Sequence, residues 1–319
     1  MTLPPSDHFN GKTFFNPRHE NRGWRDVLRW RRTSRPSPWP EHVALVPQPP
    51  PPAPRGDQFV ATWINHATFL VQTAQGNFLT DPNFSDRCGP FGLIGPRRVH
   101  PPGLALAALP HIDFVLLSHD HYDHCDLPTL RALAKAHDPL ALTPLANGDL
   151  LRRAGFRANH IVELDWWQKS TPASGIEVTL TPARHWSNRL SGRRNARLWG
   201  GFFVRHGPRA WWFAGDTGYD AALFREIRAR LGAPALAMIP IGAYEPRWFM
   251  AAQHCNPAEA VQIHRDIGVA TSLAMHWGTW QLTDEGREEP VRALIAARTE
   301  AGLPAEAFHV LAPGETIAT

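Results

Sequence analysis

The chain has 319 residues, 43% hydrophobic and 19% charged, long enough to bury a sizeable core. Three cysteines cannot build a disulfide framework, and no run reaches the ~18 uninterrupted apolar residues of a membrane-spanning helix. The net charge of +4 belongs to residues 1–60, which hold nine Arg/Lys against five Asp/Glu; the rest is neutral, which argues against a basic nucleic-acid-binding fold. The first residues lack the basic-then-apolar order of a signal peptide, so a reduced, cytoplasmic protein is expected.

Residues 1–57 form a Pro/Arg/Trp-rich arm and linker. Trp24, Trp30 and Trp39 alternate there with Arg22, Arg25, Arg29, Arg31, Arg32 and Arg35. Indole and guanidinium together suit an anionic membrane surface, so the arm is expected to dock peripherally on the inner face of the membrane; the other reading is a solvated tail. Val46 to Pro54 reads as an extended polyproline spacer.

Residues 58–319 make up the body. Phe59–Ile64, Thr68–Thr73 and Asn77–Thr80 read as opening antiparallel strands, and Phe114–Ser118 as a short buried one. Asp126 caps a helix running to about Ala136, with Pro128 tolerated in its first turn. Strands follow at Ile176–Thr181, Gly201–Arg205, Ala210–Ala214 and Leu236–Ile241, with a helix over Asp220–Leu231. Asn256-Pro257-Ala258-Glu259 opens another helix with a cap, a proline and an acid. A strand at Thr271–Met275, a helix at Glu288–Ala301 and a strand at Phe308–Leu311 complete the pattern. Two clusters of strands followed by helices predict an α/β fold in which two sheets pack together beneath outer helices.

The chemistry is concentrated in Ser118-His119-Asp120-His121-Tyr122-Asp123-His124. In an extended segment His119, His121 and Asp123 face one side, and His124 adjoins them where the chain turns into the helix. Imidazole and carboxylate suit a borderline divalent ion such as zinc. Four such groups in six residues exceed what one tetrahedral ion takes from a single loop, which points to two adjacent ions. His185, Asp216 and His276 each lie just past an apolar strand, as the His119 loop does, and this places all of them at one rim of a sheet.

The pattern His119-x-His121-x-Asp123-His124 with a later His, Asp and His resembles the metallo-β-lactamase superfamily. More narrowly, the chain resembles N-acylphosphatidylethanolamine-hydrolysing phospholipase D and its bacterial relatives. The matching segments are His66-Ala67-Thr68-Phe69-Leu70, Thr80-Asp81-Pro82, Gly95-Pro96-Arg97-Arg98, Gly215-Asp216-Thr217-Gly218-Tyr219, Ile239 to Gln253 with His254, and His276-Trp277-Gly278-Thr279. The resemblance implies an αββα sandwich with a dinuclear zinc site at the sheet edge, two Zn2+ per chain. One ion would take His119, His121 and His185; the other would take Asp123, His124 and His276, with Asp216 bridging. Asp123, His124 and Asp216 would carry catalysis, and Asp120 would orient a histidine. His66, Tyr244, Arg247, His254 and Trp277 would contact the substrate.

The implied activity is a phospholipase D-type cleavage of a phosphodiester by a hydroxide held between the ions, releasing N-acylethanolamine and phosphatidic acid from N-acylphosphatidylethanolamine. The rival readings are a metal-dependent esterase or lactonase, and a membrane-associated protein that binds metal without turnover. The expected partner is a phospholipid or another small ester, with no nucleic acid. The oligomeric state stays open between monomer and homodimer.

Overall fold

Two seven-stranded sheets packed face to face organise residues 4–17, 23–56, 58–173, 175–190 and 192–318, the residues described by the computed structural model. The first sheet is built from β1 (Phe59–Asn65), β2 (Thr68–Thr73), β3 (Gly76–Thr80), β4 (Phe114–Leu116), β5 (Leu140–Pro144) and β6 (Ile161–Leu164). The second holds β7 (Lys169–Ala173), β8 (Ile176–Thr181), β9 (Gly201–His206), β10 (Arg209–Phe213), β11 (Leu236–Pro240), β12 (Thr271–Met275) and β13 (Phe308–His309). β14 (Thr316–Ala318) returns to the first sheet beside β1. In each sheet the strands are antiparallel at one end and parallel at the other: β3 to β6 run parallel, as do β10 to β13.

Every residue of β1 and β2 is buried, because one face meets the second sheet and the other meets helices. Phe78 and Trp211 stack across the interface, ring centroids 5.7 Å apart. Against the outer face of the first sheet lie α2 (Leu127–His137) and α3 (Gly148–Arg153), through Leu130, Leu133 and Leu150. The second sheet carries α4 (Ala221–Leu231), α6 (Pro257–Ile267) and α7 (Glu289–Glu300), separated from one another in the chain by β11, the short α5 (Arg247–Met250) and β12. The result is the helix–sheet–sheet–helix layering that the strand pattern implies. Trp211 and Trp212 are both 1% exposed, and Trp212 closes on Phe224 of α4.

Several elements escape the sequence pattern. β5, bounded by Pro139 and Pro144, and β6 are short runs whose pairing is supplied by the parallel neighbour. The arm contains α1 (Trp24–Thr33), and its residues are docked on the body. Phe9 and Phe14 join the main core, Asn16 Nδ2 donates to the carbonyl of His185 at 2.7 Å, and Gln48 N donates to Gly103 O at 2.7 Å. Arg22 and the side chain of Trp24 lie outside the described residues. Among the described residues, no helix is long and apolar enough to cross a membrane.

His8 anchors the start of the arm. Its ring stacks on Trp166 at 4.3 Å, and its nitrogens lie 2.6 Å from Asp7 and 2.7 Å from Asp165. Burial alone would lower its pKa, but the two carboxylates outweigh it and hold the ring above the ordinary 6.5. A raised folded-state pKa contributes stability in full below the unfolded value and loses it as pH rises through the folded value. His8→Gln is therefore expected to cost about 1 kcal/mol near pH 5.5 and much less near pH 9, read from urea midpoints.

Candidate metal centre

Four strand ends deliver the cluster. The His119 loop follows β4, His185 follows β8, Asp216 follows β10 and His276 follows β12. Asp216 reaches the rim because Gly215 turns at φ +61°, where a Cβ would stand 2.8 Å from Gly200 O. His66, in the β1–β2 turn at φ +45°, and His276, at φ +62°, are held together by His276 N donating to His66 O at 2.9 Å. Both side chains pay for left-handed backbone with contacts: their rings meet at 3.9 Å.

Two groups of donor atoms form, each with all its atoms within 4.8 Å of one another. One comprises His119, His121 and His185, and the other His66, Asp123, His124 and His276; two further groups overlap them, Asp81 with His119 and His124, and Asp216 with His185 and His254. His119 Nε2 and His185 Nε2 lie 3.0 and 3.1 Å from His121 Nδ1. Asp216 Oδ2 stands between the groups, 3.1 Å from His276 Nε2, 3.2 Å from His124 Nε2, 3.7 Å from His185 Nε2 and 3.9 Å from His119 Nε2.

The far side of several rings is also committed. His185 Nδ1 donates to Gln253 O at 3.0 Å, and His124 Nδ1 donates to Asp81 Oδ2 at 2.6 Å. His119 Nδ1 lies 2.8 Å from Ser118 Oγ, which itself donates to Asp81. The His185 contact fixes the tautomer that leaves the lone pair of Nε2 facing inward, and the Asp81 contact keeps a proton on His124 Nδ1, so that Nε2 is the atom left to a metal. Asp120, expected to orient a histidine, does something else: it accepts from Asn188 N at 2.9 Å and faces Arg197 at 3.5 Å. Asp81 performs that task, from a position directly after β3.

Burial holds His185 and His66 down at about 3 and His121 at about 4, so these rings are neutral near pH 7. In His124 and His276 burial also pulls down, but Asp216 and Asp123 overcome it, lifting His276 to about 9 and holding His124 well above its ordinary value. Burial pushes both carboxylates up, and the adjoining histidines reverse this, holding Asp123 and Asp216 well below the usual range. Meanwhile the buried His121 Nε2, His124 Nε2, His276 Nε2 and Asp216 Oδ1 have no hydrogen-bond partner. Unsatisfied nitrogen and carboxylate atoms converging in a buried site are the donor set that one or two divalent cations satisfy. The residues fit a metal centre.

The remaining candidates divide. His66 Nε2 contacts Asp123 Oδ2 at 2.9 Å, and His254 Nδ1 lies 4.0 Å from Asp216, so both adjoin the cluster. Arg247 is engaged with Glu259 at 2.7 Å and with the carbonyl of His254 at 2.9 Å, which braces α5. Trp277 stacks on Trp63 at 5.3 Å behind His276. Tyr244 is buried, its backbone N–H directed at Glu285. None of these three lines the cavity that opens onto the cluster. Cys125, at the start of α2, is fully buried, and burial pushes its thiol up to about 12.

That cavity has a volume of about 330 Å³ and reaches Asp216, Asp123, His121 and His276. Its apolar walls include Phe249, Met250 and Leu282 from the body and Val27 and Trp30 from α1. Trp30 lies parallel to Phe249 at 5.2 Å, so a residue of the arm roofs the metal site. The sequence signals Trp30 only through composition; its inward face becomes visible once α5 is there to receive it.

A profile of the Beta-lactamase superfamily domain matches residues 76–277. An uncharacterized protein of Mycobacterium tuberculosis is 42% identical over 261 residues, covering 80% of this chain and 68% of the relative. N-acyl-phosphatidylethanolamine-hydrolyzing phospholipase D 1 of Caenorhabditis elegans is 38% identical over 251 residues, covering 75% and 70%. Among solved structures, an isothiocyanate hydrolase from Delia radicum gut bacteria superposes with a TM-score of 0.64 at 22% identity, covering 81% of this chain and 98% of that one, a likeness of fold.

Proposed function

This chain belongs to the metallo-β-lactamase superfamily of metal-dependent hydrolases, and from that premise we propose that it is a zinc-dependent phosphodiesterase of the phospholipase D type. Its substrate is N-acylphosphatidylethanolamine or a close analogue, cleaved to N-acylethanolamine and phosphatidic acid. The observation that carries this reading is the joining of a two-group His/Asp cluster to an apolar cavity of about 330 Å³. A phospholipid presents that combination of charge and hydrocarbon, with its phosphodiester between polar head and acyl chains. The 38% identity to the C. elegans phospholipase supports the same substrate class.

His119, His121 and His185, and Asp123, His124 and His276, would hold divalent ions, which when bound would supply Lewis acidity and a nucleophile at neutral pH. The protein contributes positioning. Asp81 and Gln253 lock ring tautomers, Asp216 spans the two groups, and Phe249, Met250 and Trp30 exclude water. Burial keeps His254 down at about 3, so it faces the cavity as a neutral ring able to donate one N–H to a substrate oxygen.

The test places zinc-loaded protein on N-acylphosphatidylethanolamine vesicles and identifies the products by mass spectrometry, with Asp123→Asn/His124→Ala as control. Phosphatidic acid and N-acylethanolamine, absent in the control, are expected. Turnover of acyl-lactones or simple esters without phosphodiester cleavage would replace this reading with the esterase one. Because Trp30 walls the cavity, Trp30→Ala is expected to lower kcat/KM for long-chain relative to short-chain substrates by about tenfold.

A further inference from the structure

The loop preceding Gly95-Pro96-Arg97-Arg98 carries Phe91, Leu93 and Ile94, whose side chains are 80%, 75% and 60% exposed. Leu190, on a second loop, is 83% exposed. Seven large apolar side chains are exposed among the described residues, and these are four of them. Exposure on this scale costs free energy in water unless something covers the side chains. The first loop is a built projection and not a frayed one. Arg87 pairs with Arg97 at its base, Cys88 N donates to Pro96 O at 3.2 Å, and Arg87 Nη1 donates to Gly95 O at 2.7 Å. Phe91 sits at φ +61°, so the tip is turned outward at a backbone cost.

The two tips border one cavity of about 470 Å³, and Tyr122 belongs both to its lining and to that of the metal cavity. Arg131 and Arg153 line the same cavity, and Arg87 and Arg97 flank the first tip. Apolar tips set among guanidinium groups match an interface with hydrocarbon inside and phosphate at its edge. The arm is less suited to that contact. Trp30 is committed to Phe249, Trp39 Nε1 donates to Glu285 O at 2.9 Å, and Arg29 stacks over Trp248 at 4.5 Å.

We propose that the 89–95 loop and the Leu190 loop form a docking platform for an anionic phospholipid bilayer, setting the mouth of the metal cavity against the membrane. This assignment does not depend on which bond the enzyme cleaves. It is tested with the full-length metal-loaded protein on phosphatidylcholine vesicles with and without about 30% phosphatidylserine, free of N-acyl lipid so that binding is read without turnover. Phe91→Ser/Leu93→Ser/Ile94→Ser is expected to lower the vesicle partition coefficient about 100-fold or more and Leu190→Ser about tenfold. Both should leave the melting temperature unchanged. Leu28→Ser/Arg32→Gln, on the outer side of α1, is expected to change partition less than about threefold. An environment-sensitive dye on Leu93→Cys should shift to the blue on anionic vesicles. The platform is overturned if the triple variant binds vesicles like wild type, or if only the α1 variant loses binding. It is also overturned if sedimentation velocity shows a wild-type dimer that the triple variant dissolves, since a second copy of the chain would then be the occupant.

Discussion

Replacing Asp216 with asparagine is expected to lower hydrolysis to about 0.1% of the wild-type rate or less and to reduce the bound metal from the two ions per chain proposed above to one or none. The carboxylate is 3% exposed and its Oδ2 lies within 3.9 Å of the Nε2 atoms of four histidines. An amide keeps the shape, removes the negative charge and points an N–H₂ or a neutral oxygen at those rings. In the metal-free protein the same change strands His124 and His276, whose raised pKa values depend on Asp216 and Asp123. Metal analysis of the purified variant and turnover of any phosphodiester that wild type cleaves decide the matter. Retention of two ions with activity within tenfold of wild type would remove Asp216 from the centre of the site.

The second large effect is expected at Asp81, which is fully buried and does not line the cavity that opens onto the cluster. Its carboxylate accepts from Ser118 N at 2.6 Å, Ser118 Oγ at 2.5 Å and His124 Nδ1 at 2.6 Å. Asp81→Ala leaves three buried donors without a partner and is expected to cost about 3–5 kcal/mol of stability. Asp81→Asn is the sharper probe. The amide can still accept from Ser118, but its N–H₂ then faces His124 Nδ1, which favours the tautomer with the proton on Nε2 and spends the inward lone pair. Metal affinity should fall about 10–100-fold, by competition with a chelator, with a much smaller loss of stability than for alanine. An Asp81→Asn protein that binds metal like wild type would mean that the His124 tautomer is set by something else.

Asp120 and Asp81 illustrate why part of the centre could be read directly and part could not. Asp120 sits between two histidines and invites the role of orienting one, yet in the short segment after β4 it alternates away from them and meets Asn188 and Arg197. Asp81 is 37 positions from Ser118 and adjoins it only because β3 and β4 pair in parallel, with Thr80 opposite Leu116. Proximity in sequence is a poor guide to which carboxylate holds which ring; strand register decides it. Arg247 makes the same point on the substrate side. Its charge suggested a phosphate contact, and the fold pairs it with Glu259 from the first turn of α6.

What the sequence determined by itself is whatever local periodicity and contiguous chemistry encode. The buried strands, the capped helices and the histidine-rich loop at a strand end are of this kind, since their physical causes lie within a few residues of one another. The arm shows what only the tertiary structure decided. Trp30, Trp39 and the arginines around them have a composition that suits a membrane, but an indole buries itself against whichever apolar surface comes first. In the folded chain Trp30 lies against Phe249 at the mouth of the cavity over the cluster. Among the described residues, Phe91, Leu93 and Ile94 are left facing outward, on a chain turned back on itself at Arg87 and Arg97.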